Sequence, residues 1–355
     1  MPVSAGSLPD WPRSMGRPEV SGELRAVPED FQVWEQPLIE PQGSGSHLWL
    51  EVRKRDANTQ WVAGQLASAA GVQPRDVGFA GLKDRHAVTT QWFSLCLQEA
   101  TDADWSCWEI PGVSILQASL HGRKLQRGAL RGNRFLLTVR KLRGSIESLT
   151  DRLGQAARTG VPNYFGPQRF GHGGANVERG VRWLARGGRI RRSERSIYLS
   201  AVRSYLFNEV LANRVDLGNW NRLVGGDVVM LDGSRSTFCA DRLDADLERR
   251  CMEFDIHPTG PLPGRARGRR GECAGGDAAA LEESILGQHE DLVTALQAAG
   301  VDADRRSLRV LPSGLEWQID DDDLVLGFAL PPGAYATSLL RELVLTEAAS
   351  ISESK

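Results

Sequence analysis

Val77-Gly-Phe-Ala-Gly-Leu-Lys-Asp-Arg-His-Ala-Val-Thr-Thr-Gln-Trp-Phe93 reads as a buried strand, a tight loop and a second strand. Val77 and Phe79 alternate with small residues, and Gly78 and Gly81 permit close backbone approach or a positive φ. Lys83, Asp84, Arg85 and His86 then stand together before apolar character resumes at Ala87. Taken alone, Asp84 is most simply a salt-bridged turn aspartate capping its own loop. A functional Asp84 must stay ionised, and Lys83 and Arg85 favour the charged form if they fold toward it.

Outward from this loop, the pattern alternates between strand and helix periods. Pro28 to Glu35 reads as a turn into a short strand, and His47 to Lys54 alternates with Leu48, Leu50 and Val52 on one face. Asn58 is placed to cap a helix burying Trp61, Val62, Leu66 and Ala69 and stopping at Gly71. Strands are expected over 89–97, 113–121 and 134–140, and a helix from Ser145. Near Gly160 the character changes. An aromatic, glycine-rich stretch precedes helical patterns at 177–186, 193–214 and 278–299, with a small hairpin over 225–233 and a Pro/Gly/Arg-rich mobile segment over 258–276. Strand character returns at 324–330, then a turn at 331–335 and an amphipathic segment over 336–346.

A chain of 355 residues suggests about two domains, and 41% hydrophobic content with ten tryptophans supplies a sizeable core. The expected organisation is α+β. Residues 1–20 form a flexible N-terminus, residues 21–158 and 311–355 a domain with a mixed sheet built from both chain ends, and residues 159–310 a mainly helical insertion. No apolar run is long enough to span a membrane, and the N-terminus lacks a secretory pattern. Five widely spaced cysteines fit a reducing cytoplasm better than a disulfide framework or a zinc site.

Net charge is −2, yet the basic residues are grouped. Residues 121–143 carry eight Lys/Arg and no acid, including Arg123, Lys124, Arg127 and Arg131. Residues 182–195 hold six arginines against one glutamate, including Arg189, Arg191 and Arg192. Such stripes permit a polyanion footprint, although each by itself is equally a solvated face. The arginines of 264–270 belong to the same question. Phosphate-loop, dinucleotide, nucleophile-elbow and HExxH patterns are all absent, so chemistry rests on ordinary side chains. An ionised carboxylate beside apolar strands is suited to act as a nucleophile or to stabilise an oxocarbenium-like sugar, but no second carboxylate shares this context, unlike an ordinary glycosidase.

Gly78-Phe-Ala-Gly-Leu-Lys-Asp84-Arg-His-Ala-Val-Thr89 closely resembles the signature of the TruD family of tRNA pseudouridine synthases. Four further blocks resemble that family in order: Pro28 to Glu35, Gly128 to Phe135 with Asn133, Val161 to Gly171, and Pro331 to Leu343 with Tyr335. The resemblance spans about residues 25–345. It implies a pseudouridine synthase fold with an inserted TRUD domain. It also implies isomerisation of uridine 13 in the D arm of tRNA, without cofactor or metal, and tRNA as the partner. The catalytic aspartate of the family falls on Asp84, with Arg25, Phe31, Lys83, Arg85, Asn133, Phe135 and Tyr335 as substrate-side residues. Phe31 is either a core ring or a stacking platform, Asn133 either a turn residue or an amide for a uracil edge, and Phe135 core or wall. Two positions depart from the pattern. Arg25 stands where a lysine is frequent, which replaces a point charge by a planar fork, and Tyr335 stands where some members carry phenylalanine. An RNA-binding module with a dead site and an RNA N-glycosidase are the competing readings.

Overall fold

The computed structural model describes residues 8–96, 105–266, 268 and 273–348. In chain order, the N-terminal elements are β1 (Ser21–Leu24), β2 (Phe31–Pro37), β3 (His47–Arg55), α1 (Thr59–Ala69), β4 (Val77–Phe79), β5 (Val88–Cys96), β6 (Val113–His121) and β7 (Leu130–Arg143). Then follow α2 (Ile146–Thr159), β8 (Val161–Pro162), α3 (Ala175–Arg186), α4 (Arg192–Asp216), β9 (Asp227–Leu231), β10 (Thr237–Ala240), α5 (Ala245–Met252) and β11 (Ile256–Leu262). The chain closes with α6 (Gly276–Leu286), α7 (Glu290–Ala298), β12 (Asp304–Ser307), β13 (Arg309–Val310), β14 (Ser313–Asp320), β15 (Asp323–Leu330), α8 (Ala336–Leu343) and β16 (Leu345–Ala348).

The fold is α+β, and its large sheet is mixed and drawn from both chain ends. Its main path is β14-β15-β7-β2-β5-β3-β6, with β1 on β7, β16 on β1 and β4 on β5. The β2–β5 and β1–β16 pairs are parallel. The long strand β7 alternates over 135–139, burying Phe135, Leu137 and Val139; past the left-handed Lys141 (φ 54°) the buried position shifts to Leu142. β15 answers it with Leu324, Leu326, Phe328 and Leu330 on its buried face. Each such side chain removed from water contributes about 1.5–3 kcal/mol. α1 covers part of β3 and β5, packing Val62 and Leu66 against Leu48, Leu50, Val52 and Phe93. Asn58 caps it by accepting from the Gln60 amide at 2.8 Å. Trp61, expected inside, is 43% exposed, because the buried stripe runs through Thr59, Val62, Ala63, Leu66 and Ala67 and leaves it one position off.

Contacts divide the chain into two compact units: 19–149, 312–333 and 344–355 with the large sheet, and 1–18, 150–311 and 334–343. The second is built on the 25-residue α4, whose Leu199, Val202, Leu206, Val210 and Leu211 are buried. Ile197 stands off that stripe and is exposed. This unit also holds the antiparallel sheet β10-β9-β11-β12.

Three expectations need correction here. The chain from residue 8 on is not loose: Trp11 stacks on Tyr164 at 6.0 Å, also packs on Phe170 and Tyr205, and donates Nε1–H to Glu209 at 2.6 Å. One buried tryptophan outweighs a Pro/Gly/Ser-rich composition. The first part of 258–276 is a buried strand rather than a mobile segment. β11 pairs with β9 through Pro258 and with β12 from Thr259, so the missing proline amide falls where the partner changes. The arginines at 267, 269 and 270 lie outside the described residues, as does residue 97. The long helix over 278–299 is two helices, interrupted at Gly287 by a 3₁₀ turn. No helix among the described residues is long and apolar enough to cross a membrane.

A buried ion pair ties α4 to the smaller sheet. Arg214 makes two bonds to Asp227, at 2.9 and 3.0 Å, and both are almost wholly out of solvent. Asp227→Asn leaves the guanidinium buried without a counter-charge and is expected to cost about 3–5 kcal/mol in urea unfolding, whereas the double variant Arg214→Met/Asp227→Leu recovers most of that loss. A wild-type midpoint for Asp227→Asn contradicts this.

Candidate active site

The loop of residues 80–87 joins β4 to β5, which pair antiparallel. Parallel pairing sets Gln32 opposite Val88, so this loop and the start of β2 share one end of the sheet. Arg25, just beyond β1, comes to the same end. Its φ of +64° is left-handed, an uncommon conformation for a residue with a side chain. Arg25 NH2 donates to Asp84 Oδ2 at 2.6 Å. The guanidinium carbon sits 4.1 Å above the Phe31 ring centroid, a cation–π contact. Phe31 meets Phe135 edge-on, and Phe135 stacks on Phe328 at 5.2 Å. Arg25 is therefore wedged between an apolar wall and a carboxylate that keeps 34% of its side chain in solvent.

The loop itself is anchored from behind. Lys83 turns inward, and its Nζ donates to Glu35 Oε2 at 2.5 Å with both side chains almost fully buried. Glu35 Oε1 also accepts from the Trp92 amide. Thr59 Oγ1 accepts from the Lys83 amide at 3.0 Å, and Gln91 Nε2 donates to the Gly81 carbonyl at 3.1 Å. Lys54, fully buried, donates to the carbonyls of Ala57 at 2.7 Å and of Asp84 itself at 2.8 Å. Burial pushes its amine down to about 8, while the nearby Asp84 charge opposes that shift. Asp84 thus projects from a backbone held by side chains of β2, β3, α1 and β5.

This geometry corrects one expectation. The cations adjacent to Asp84 in sequence do not neutralise it: Lys83 is committed to Glu35, and Arg85 is exposed with no side-chain bond among the described residues. Lys83 is drawn into the sheet by Glu35, and the partner of Asp84 comes from a distant part of the chain, Arg25. His86 instead meets Asp56 at 2.9 Å. Asn133 lies on β7 opposite Glu35 and Leu330, and its Oδ1 is buried without a partner. Glu35 and Lys54 were not anticipated. Their signal was parity: Glu35 follows Phe31 and Val33, and Lys54 follows Leu48, Leu50 and Val52, each a charge on a buried face.

Tyr335 belongs to the helical unit, where its hydroxyl accepts from Arg169 Nε at 2.9 Å and its ring packs edge-on against Phe165. The basic residues differ among themselves. Arg123, Arg131, Arg189, Arg191 and Arg192 are exposed, Lys124 bonds the Arg75 carbonyl, and Arg127 lies 4.2 Å over Phe79. Among the described residues no cluster of side chains suited to a metal ion occurs.

The sequence profile described as tRNA pseudouridine synthase D (TruD) matches residues 14–181 and 188–343. The chain belongs to the TruD family. It is 48% identical over 337 residues to tRNA pseudouridine synthase D of Methylococcus capsulatus, covering 94% of each chain, and 47% identical over 337 residues to that of Nitrosococcus oceani, covering 94% of this chain and 93% of the other. A crystal structure assigned to TruD from Methanosarcina mazei superposes with a TM-score of 0.68 over 95% of this chain and 96% of that one at 23% identity, a likeness of fold. The TruD match takes in Arg25, Phe31, Asp84, Asn133 and Tyr335.

Lys54 gives a pH signature. Its amine loses its proton near pH 8 in the folded chain and near its ordinary 10.5 in the unfolded one, so between these values the unfolded chain binds more protons and stability rises with pH. The penalty, on the order of 3 kcal/mol, is present in full below pH 8. Lys54→Met lacks this rise, so wild type gains on the variant as pH increases from about 8 to 10. Parallel stability–pH curves contradict the assignment.

Proposed function

We propose that this chain is a tRNA pseudouridine synthase that acts on uridine 13 of the D arm, with Asp84 at the ribose of an extruded nucleotide. The observation that carries this reading is the Asp84 carboxylate itself, paired with Arg25, partly open to solvent, and rooted in an anchored loop at one end of the sheet. Membership of the TruD family supplies the reaction class. In that reaction the C1′–N1 bond breaks and a C1′–C5 bond forms; C5 gives up its proton and N1 gains one. An anionic oxygen serves this chemistry either as a nucleophile at C1′ or as a base at C2′. Arg25 orients the carboxylate without removing it from reach, since only Oδ2 is bonded to it.

Substrate contact is assigned to Arg25 and Asn133, with Phe31 and Phe135 as the wall beneath Arg25. Asn133 suits this role because its unpartnered Oδ1 is an amide acceptor awaiting a donor such as uracil N3–H. Lys83 acts instead through the loop, and Arg85 is free to reach a phosphate. Extrusion of a stacked base costs a few kcal/mol, which phosphate contacts offset. Arg189, Arg191 and Arg192 crowd the N-terminus of α4, where the helix dipole disfavours cations. A bound polyanion gives that arrangement a purpose.

Carbodiimide labelling and primer extension on unmodified tRNA locate any pseudouridine formed. Asp84→Asn is expected to lower the single-turnover rate by at least about 10³-fold with tRNA affinity retained. Product from Asp84→Asn at the wild-type rate removes the assigned role, and release of free uracil by wild type points to a glycosidase. Separately, reversing Arg189, Arg191 and Arg192 to Glu is expected to weaken tRNA binding and lower the slope of log K against log salt by about 2. Unchanged binding takes these residues out of the footprint.

A further inference from the structure

A second polar constellation lies within the helical unit, around Arg169. Arg169 donates Nε–H to the Tyr335 hydroxyl and NH1 to Ser200 Oγ, each at 2.9 Å. Both hydroxyls use a lone pair on the guanidinium, and neither passes its own proton to another group among the described residues. Thr337 Oγ1, two residues beyond Tyr335, is buried with no partner at all. A methyl group at Gly166 would stand 2.6 Å from Thr337 Oγ1 and 3.0 Å from the Tyr335 ring, so only a bare backbone passes against these two side chains. Among the described residues no carboxylate pairs with Arg169. A second guanidinium, Arg306, lies 4.1 Å over the Phe165 ring, which Arg169 also approaches at 5.4 Å. Burial pushes Arg306 down to about 10, and the Arg169 charge acts in the same direction.

The chemistry of this cluster is one-sided. A guanidinium and three hydroxyls offer protons, and an anionic acceptor is what they lack. A phosphodiester oxygen takes a charge-assisted bond from a guanidinium and neutral bonds from hydroxyls together. We infer that Arg169, Tyr335 and Ser200 form a binding site for one phosphate oxyanion of the RNA substrate, with the Thr337 hydroxyl as a further donor. This rests on the reading of the chain as a tRNA-binding enzyme. Tyr335 acts here as a hydrogen-bond donor, because Arg169 occupies its acceptor side.

The test is tRNA binding by wild type, Arg169→Gln and Arg169→Lys across about 50–200 mM KCl. Arg169→Gln keeps amide donors and removes the charge. It is expected to bind about tenfold more weakly, with the slope of log K against log salt reduced by about 0.7–0.9. Arg169→Lys keeps the slope and loses affinity several-fold, since a point charge cannot bond both hydroxyls; it also serves if Arg169→Gln does not fold. Wild-type affinity and slope in the charge-free variant overturn the inference, as does wild-type affinity in Arg169→Lys. If wild type itself fails to bind tRNA, the tRNA reading fails, and calorimetric titration with inorganic phosphate then examines the site by itself. Phosphate bound by wild type and not by Arg169→Gln sustains an oxyanion site for another phosphate ligand; equal behaviour of the two overturns it.

Discussion

The buried Lys83–Glu35 ion pair is the constraint on which the Asp84 site depends. Two charges taken out of water contribute little net stability, because desolvation consumes most of their attraction. What they supply is geometry. The residue before Asp84 is drawn into the sheet and cannot swing, and the Asp84 carbonyl is held by Lys54 from a second strand. The carboxylate is left to face solvent with Arg25 as its partner. A loop with a glycine and exposed polar residues would otherwise be among the softer parts of the fold. Here the side chains that rigidify it come from β2, β3, α1 and β5, so its position is set by the whole sheet.

Much of the large sheet was legible in local pattern. The period-two alternation of residues 47–54 and 134–140, the Asn58 cap and the apolar run 324–330 each became the expected element. Pairing order was not legible, because nothing in the alternation of β2 says that it lies parallel to β5 and antiparallel to β7. Composition misled in two places. Trp11 anchors a segment whose prolines and glycines suggested disorder, and Pro258 sits inside a strand at the residue where the partner changes.

The site divides in the same way. Asp84, Arg25, Phe31 and Phe135 come together at the one end of the sheet. The identity of the partner cation did not follow from sequence adjacency, since Lys83 is bonded to Glu35 inside the sheet and Asp84 to Arg25. Glu35 and Lys54 went unnoticed because each is one charge in an otherwise convincing strand. A charged residue at the buried parity of a strand demands a partner, and here the partners are the Lys83 side chain and the backbone of the Asp84 loop.

The most direct test of this account separates chemistry from binding in Glu35→Gln, which keeps the size of the side chain and removes the charge that holds Lys83. If the ion pair exists to place Asp84, the single-turnover rate of pseudouridine formation falls by about 10–100-fold while tRNA affinity stays within about twofold of wild type. A Glu35→Gln variant that folds, binds tRNA and turns over at the wild-type rate contradicts it.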